Sequence, residues 1–363
     1  MITKKEELLV EPKKETQKTI IEIKQNTDAT KDEFLSILRL VSPGTNLRQG
    51  LNGIVDAKKG ALIVVENEKL TDILDGGFKV NCRFTPQRLI ELSKMDGAIV
   101  LSRDMKRILY ANVMLAPEIK IPTKETGTRH KAAERTAKML STLTIAVSER
   151  KNQINLYYKN IKYHLRPTDE ILRHATETLQ ILEKQRELFD KNIERLNDLE
   201  IKNDLNLLPA FKTIQKGKMM EKIVENHEKI FIESGSEGSA IKHRIKELIK
   251  DVEKETDLII KDYTRLNQKK SKNILSNLTY EELADIENIS IALAQKESNS
   301  IDNIKGWRIL SKSNLPEKDI ANLLTELKNL ENVINAKTEK FSKIIGDDKA
   351  WILAKELAKI KTI

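Results

Sequence analysis

Two short segments carry the residues best suited to chemistry. In Asp96-Gly97-Ala98 a carboxylate sits between a helical stretch ending near Lys94 and an apolar run. A carboxylate at a strand edge can hold Mg2+ or Mn2+ against a triphosphate, because hard cations prefer oxygen donors. It can also orient or deprotonate an attacking hydroxyl. Gly97 and Ala98 would let a flat base or a ribose lie close to the backbone. Taken alone, Asp-Gly is more often a turn with a solvated carboxylate. The second segment, Thr126-Gly127-Thr128-Arg129-His130, precedes Ala132, Ala133, Ala137 and Met139-Leu140, so it opens a helix. Free N–H groups and the helix dipole make such an end an anion site. Two hydroxyls, a guanidinium and an imidazole add donors suited to a polyphosphate. An N-capped helix with exposed basic residues fits the same segment equally well. No Gly-x-x-x-x-Gly-Lys-Ser/Thr loop occurs, so this is not a Walker-type phosphate cradle.

Other polar residues point less clearly to a site. His164, His174, His227 and His243 have no partners at ligand spacing and read as surface or packing histidines. Ser148 follows an apolar strand and faces either the same pocket or nothing in particular. Asp75-Gly76-Gly77 reads as a turn.

The elements that must position these residues follow from pattern. Residues 1–30 are polar and rich in Lys and Glu, with no sustained apolar face, and read as a loose tail. Thr30-Lys31-Asp32-Glu33 is a capping box that opens a helix, stopped by Ser42-Pro43-Gly44-Thr45. Residues 31–166 then alternate short β-type runs with helical ones. Ala61 to Val65 is a continuous apolar run of the buried-strand type. Phe78, Val80, Cys82 and Phe84 alternate as in a strand with one covered face. Thr85-Pro86 places an N-cap and first-turn proline before Leu89. Ala98–Leu101, Ile108–Leu115 and Leu143–Val147 are further strands, and a hairpin turns near Lys159-Asn160. This predicts an α/β domain around a mixed sheet. Residues 167–278 show only helical spacing, predicting about three long helices with breaks near Leu208-Pro209 and Gly235–Gly238. One of these runs unbroken through Ile241, Ile245, Leu248, Val252 and Ile259. Residues 279–363 predict about five short helices, opened by the capping box Thr279/Glu282 and punctuated by Gly306, Pro316 and Gly346.

Composition narrows the function classes. A net charge of +9 suits a polyanionic partner, but 64 basic residues among 55 acidic ones make that signal weak. Cys82 stands alone, which excludes an internal disulfide and a cysteine-based zinc cluster, and fits a reducing compartment. No apolar run approaches the roughly 20 residues of a membrane span. Lys4 and Lys5 are followed by no apolar signal core. The expected location is the cytoplasm, with no membrane partner.

Asp-Gly-Ala and Thr-Gly-Thr-Arg-His, about thirty residues apart, together resemble the diadenylate cyclase family. The flanks Leu92 to Ser102, Tyr110-Ala111-Asn112-Val113 and Ile145-Ala146-Val147-Ser148 strengthen the likeness. With its helical middle and end, the chain from residue 34 on is similar to the DNA-integrity-scanning members of that family. The resemblance implies an α/β cyclase domain, a helical spine and a C-terminal helix-hairpin-helix domain. It implies octamers in which cyclase domains meet face to face, each holding one ATP, and condense two ATP into cyclic di-AMP with release of two pyrophosphates. Asp96 would bind Mg2+ or Mn2+ and help activate the 3′-hydroxyl. Gly97, Ala98 and Leu115 would line the adenosine pocket, and Thr126, Gly127, Thr128, Arg129, His130 and Lys131 would hold phosphates, with Ser148 a further contact. The catalytic set implied is Asp96, Arg129 and His130. Branched double-stranded DNA would bind the C-terminal hairpin through Gly346 and Lys349, aided by Lys355, Lys359 and Lys361, and would place the protein on the nucleoid. Two positions depart from the family pattern. Lys131 replaces an arginine and lacks its bidentate fork. Ile344-Ile345-Gly346-Asp347-Asp348 stands where Gly-Ile-Gly-Glu is usual. The alternative is a DNA-binding or scaffold protein with a weak or silenced nucleotide domain, against which the intact Asp96, Arg129 and His130 speak.

Overall fold

The computed structural model describes residues 30–202, 206–295, 304–313 and 315–361, with side chains through Ala358. The polar tail expected at 1–30 falls, apart from Thr30, outside the described residues, as do the side chains of Lys359 and Lys361. The chain divides into two compact units, one of Met1–Arg173 with Lys229–Ser239, the other of His174–Glu228 with Ala240–Ile363.

The first unit opens with α1 (Lys31–Leu40), whose capping box forms as its sequence predicts. Thr30 Oγ1 accepts from Glu33 N, and Glu33 returns the bond to Thr30 N. Gly44 then turns the chain at φ +86°. A second helix, α2 (Asn46–Asp56), was not anticipated: its glycines and polar residues dilute the apolar stripe, but Thr45 caps it and Leu47, Leu51 and Ile54 are buried.

The sheet comprises β1 (Ala61–Val65), β2 (Leu74–Asp75), β3 (Phe78–Arg83), β4 (Ala98–Leu101), β5 (Arg107–Leu115), β6 (Thr144–Ser148), β7 (Gln153–Tyr158) and β8 (Ile161–Leu165). Its order is β2-β5-β4-β1-β6-β7-β8, with β3 also paired to β5. Only β1 and β4 run parallel, so the sheet is mixed. β1 is central, and both its faces are covered. Ala61, Ile63 and Val65 pack with residues of α1, α2 and α3 (Pro86–Leu92) on one face. Leu62 and Val64 pack with Ala133, Ala137 and Leu140 of α4 (Thr128–Leu140) on the other. That double burial explains its unbroken apolar sequence. β3 departs from the expected alternation: Phe78 is exposed, while Val80 and Cys82 are half-buried. Its pairing with β5 shifts register between Lys79 and Cys82, which interrupts the period of two. The hairpin turns at Lys159 with φ +50°.

The second unit is helical. Helix α5 (Thr168–Ile201) begins in the first unit, and α6 (Leu207–Glu233) carries Pro209 in its first turn, where proline is tolerated. The single helix expected across Ile241 to Ile259 is two, α7 (Ser239–Ile249) and α8 (Val252–Tyr263). Asp251 between them has φ +63°, and Arg186 donates to the carbonyls of Leu248 and Lys250. Buried Ile245 and Leu248 before the break and Val252 and Ile259 after it keep helical spacing in the sequence. After α9 (Gln268–Asn277) come α10 (Tyr280–Ala284), α11 (Ile286–Leu293), α12 (Trp307–Ser311), α13 (Glu317–Leu327), α14 (Leu330–Asn335), α15 (Thr338–Ile345) and α16 (Asp347–Lys361). No helix among the described residues is long and apolar enough to cross a membrane.

Candidate functional site

The N-terminus of α4 is the pivot of the site. Its N-cap, Gly127, offers no side chain to the first turn, so the leading N–H groups are left for a ligand. Three bonds tie the preceding loop to the helix. Thr123 Oγ1 donates to Glu134 Oε2 (2.5 Å), Arg135 Nε to Ile121 O (3.0 Å) and Lys138 Nζ to Pro122 O (2.9 Å). At the other side, Gly97 takes φ +83°, and a Cβ there would stand 2.8 Å from Asn112 C. Asn112 itself has φ +55°, where β5 bulges against β4. Only glycine lets the two strands approach so closely.

Between these elements lies an open cavity of about 840 Å³. Leu62, Val113, Met114, Leu115 and Ala132 make an apolar wall, with Gly97 beside them. Thr126 to His130, Ser148 to Lys151, Gln153, Asn155, Glu125 and Lys162 make the polar end. The cavity thus has a place for a flat apolar group and a place for anions. Gly97, Leu115, Thr126, Gly127, Thr128, Arg129, His130 and Ser148, all singled out by sequence, meet here. Three others do not line it. Ala98 is buried in the sheet, Lys131 is half-buried one turn into α4, and Asp96 is exposed beyond Gly97.

The charged groups are distinct in character. Arg129 is half-buried against Gly60, whose missing side chain makes room for the guanidinium. Burial chiefly draws the His130 imidazole below its ordinary pKa. Glu125 opposes this, and Arg129, Lys162 and Lys151 reinforce it. His130 is therefore neutral at pH 7 and offers one donor and one acceptor. Ser148 Oγ accepts from Lys151 N (3.4 Å), shaping the turn that brings Glu149, Arg150 and Lys151 to the rim.

The residues 48–161 match the family described as DisA bacterial checkpoint controller nucleotide-binding, and 165–301 match its linker region. Curated relatives bear the name DNA integrity scanning protein DisA. That of Acetivibrio thermocellus is 38% identical, covering 91% of this chain and 95% of its own. That of Carboxydothermus hydrogenoformans is 41% identical, covering 91% and 98%. The chain belongs to the DisA family. The cavity is enclosed mostly by the DisA nucleotide-binding region, with Lys162 just past its matched end.

Sequence reasoning missed Glu125, Glu149 to Lys151, Gln153, Asn155 and Lys162. Glu125 adjoins a segment already marked, and its position beside Thr126 was a usable signal. Glu149 to Lys151 likewise follow the marked Ser148, whereas Gln153, Asn155 and Lys162 carry none, because only strand pairing brings β7 and β8 alongside α4.

In the C-terminal part of the second unit, Gly346 joins α15 to α16 at φ +85°, a conformation that favours glycine. Lys349 is exposed but engaged, its Nζ 2.6 Å from Asp319 Oδ2. Lys355 lies over the ring of the exposed Trp351.

Proposed function

We propose that this DisA-family chain is a diadenylate cyclase, joining two ATP molecules into cyclic di-AMP across a face-to-face pair of subunits. The observation that carries this is the two-ended cavity, apolar beside Gly97 and cationic at the N-terminus of α4. Its volume suits one bound small molecule. Each adenylate's 3′-oxygen would attack the α-phosphorus of the other. Two P–O bonds form, two bonds to the β-bridging oxygens break, and two pyrophosphates and two protons leave. Such displacements depend on positioning and on neutralising charge. Arg129 and the free N–H groups of α4 supply charge and donors. His130 supplies a hydrogen bond to phosphate. Asp96 lies exposed outside its own cavity, which supports a role toward a nucleotide held by a second copy. Exposed Met114 lines the cavity and would be covered by such a pairing.

Among the described residues no three metal-ligating side chains cluster. One carboxylate plus substrate phosphates is nevertheless a fitting donor set for Mg2+ or Mn2+, which keep several waters. Asp96 would hold the ion, which when bound neutralises phosphate charge and acidifies the 3′-hydroxyl. The turn at Gly346 supports a helix-hairpin-helix reading for α15 and α16, with branched DNA as ligand and the octamer, the cytoplasm and the nucleoid as setting. Gly346 would meet phosphate, whereas Lys349 would first have to leave Asp319.

Incubation of the full chain with ATP and either metal, followed by mass detection of cyclic di-AMP, tests the proposal. No product with Mg2+ or with Mn2+, from a verified oligomer, would overturn it. Gel shifts with four-way junctions test the DNA reading, since phosphate-driven binding must weaken steeply with salt.

A further inference from the structure

Glu125, Tyr157 and Lys162 form a unit at the polar end of the cavity. Tyr157 and Lys162 are direct cross-strand partners on β7 and β8, so their side chains share one face of the sheet. The Tyr157 hydroxyl donates to Glu125 Oε1 (3.0 Å). The Lys162 ammonium forms an ion pair with the same oxygen. Burial, reinforced by the carboxylate, keeps the Tyr157 hydroxyl protonated and able to donate. The Glu125 side chain is only 14% exposed, whereas that of Lys162 is 51% exposed. Both residues line the cavity, and Lys162 is the more exposed of the two. Glu125 stands two residues before the N-cap of α4, so its ion pair tethers Lys162 near the end of the cavity where the anion-binding N–H groups lie.

We propose that Lys162 binds the outer phosphates of the nucleotide, and that Glu125, anchored by Tyr157, is the positioning residue that holds it there. The inference rests on the nucleotide reading above. A free lysine must lose rotamer freedom to meet a ligand, and a lysine already fixed has lost it before binding. Two of the three ammonium protons remain for phosphate oxygens.

The test is isothermal titration of the full chain with ATP and with AMP, folding being checked by circular dichroism. Lys162→Met should weaken ATP binding by roughly tenfold and leave AMP binding unchanged, as expected for loss of one charge-assisted contact. Glu125→Gln should weaken ATP in the same selective way, and Lys162→Arg should restore most of the affinity. If wild-type protein binds ATP and Lys162→Met binds it as tightly, the role of Lys162 falls while the nucleotide reading stands. Equal losses for ATP and AMP would mean a structural role and also overturn the proposal. If Lys162→Met discriminates but Glu125→Gln does not, the positioning role of Glu125 falls. If wild-type protein binds neither nucleotide, the nucleotide reading itself is overturned.

Discussion

Gly60 and Arg129 show how a site can depend on a missing atom. A Cβ at Gly60 would lie 1.9 Å from Arg129 Nη1. The obstruction is the end of a flexible side chain, so the fold should survive while the guanidinium is displaced. Gly60→Ala is expected to reduce cyclase turnover by at least about tenfold, as loss of a preorganised charge does, with thermal stability close to wild type. Turnover at the wild-type rate would show that the placement of Arg129 does not matter. Gly97→Ala should behave differently, because its positive φ and the backbone of Asn112 both resist a Cβ. A destabilisation of about 1–3 kcal/mol is expected, read from denaturant midpoints. Asp96→Asn is nearly isosteric and exposed, so it should abolish turnover while keeping the wild-type oligomer. Collapse of the oligomer in that variant would make Asp96 structural.

At the scale of elements, α12 is held by a residue of α8. Asp262, fully buried, accepts from the backbone N–H groups of Gly306 (3.0 Å), Trp307 (2.8 Å) and Arg308 (2.9 Å). The Arg308 guanidinium, also buried, pairs with Glu200 (2.6 Å), which accepts from the Tyr263 hydroxyl as well. Burial first, and then the charge of Glu200, push the Asp262 carboxyl up to about 7, against the three N–H donors that favour its ionised form. A raised carboxyl binds its proton more tightly folded than unfolded. Its contribution to stability is therefore fully present below the ordinary carboxylate range, is lost as pH rises toward about 7, and is constant above that. Thermal unfolding of the full chain should show a transition whose midpoint falls from pH 5 to pH 8. Asp262→Asn, which cannot ionise, should flatten that trend, and an unchanged slope would place the titration elsewhere.

At the scale of the whole molecule, the cavity at the N-terminus of α4 is proposed to hold one adenylate, while the proposed product contains two. Specific activity should therefore fall on dilution, in step with loss of oligomer by light scattering, whereas ATP binding per chain should persist. Activity independent of concentration through dissociation would contradict a site shared between subunits. The DisA relationship spans nearly the whole chain, so both helical and α/β regions belong to the comparison. Lys349 and Lys355 are less available than their sequence suggests, since Lys349 is paired with Asp319 and Lys355 lies over Trp351.

Local physics made much of this legible from the chain alone. The capping boxes at Thr30 and Thr279, Pro86 at the start of α3, the unbroken apolar run of β1 and the helix opening at Gly127 each depend on neighbours within a few residues. That Gly97 of the first marked segment and Thr126 to His130 of the second meet in one cavity was suggested by their joint resemblance. Other features depend on which distant segments become adjacent and in what register. Tyr157 meets Lys162 and Glu125 only through the β7–β8 pairing against the loop before α4. Gly60 makes room for Arg129, and Asp262 caps a helix 45 residues further on. The turn at Asp251 falls where the apolar spacing runs on from one helix into the next, so spacing could not reveal it. Periodicity reports which face of an element is buried, and packing alone decides what that face meets.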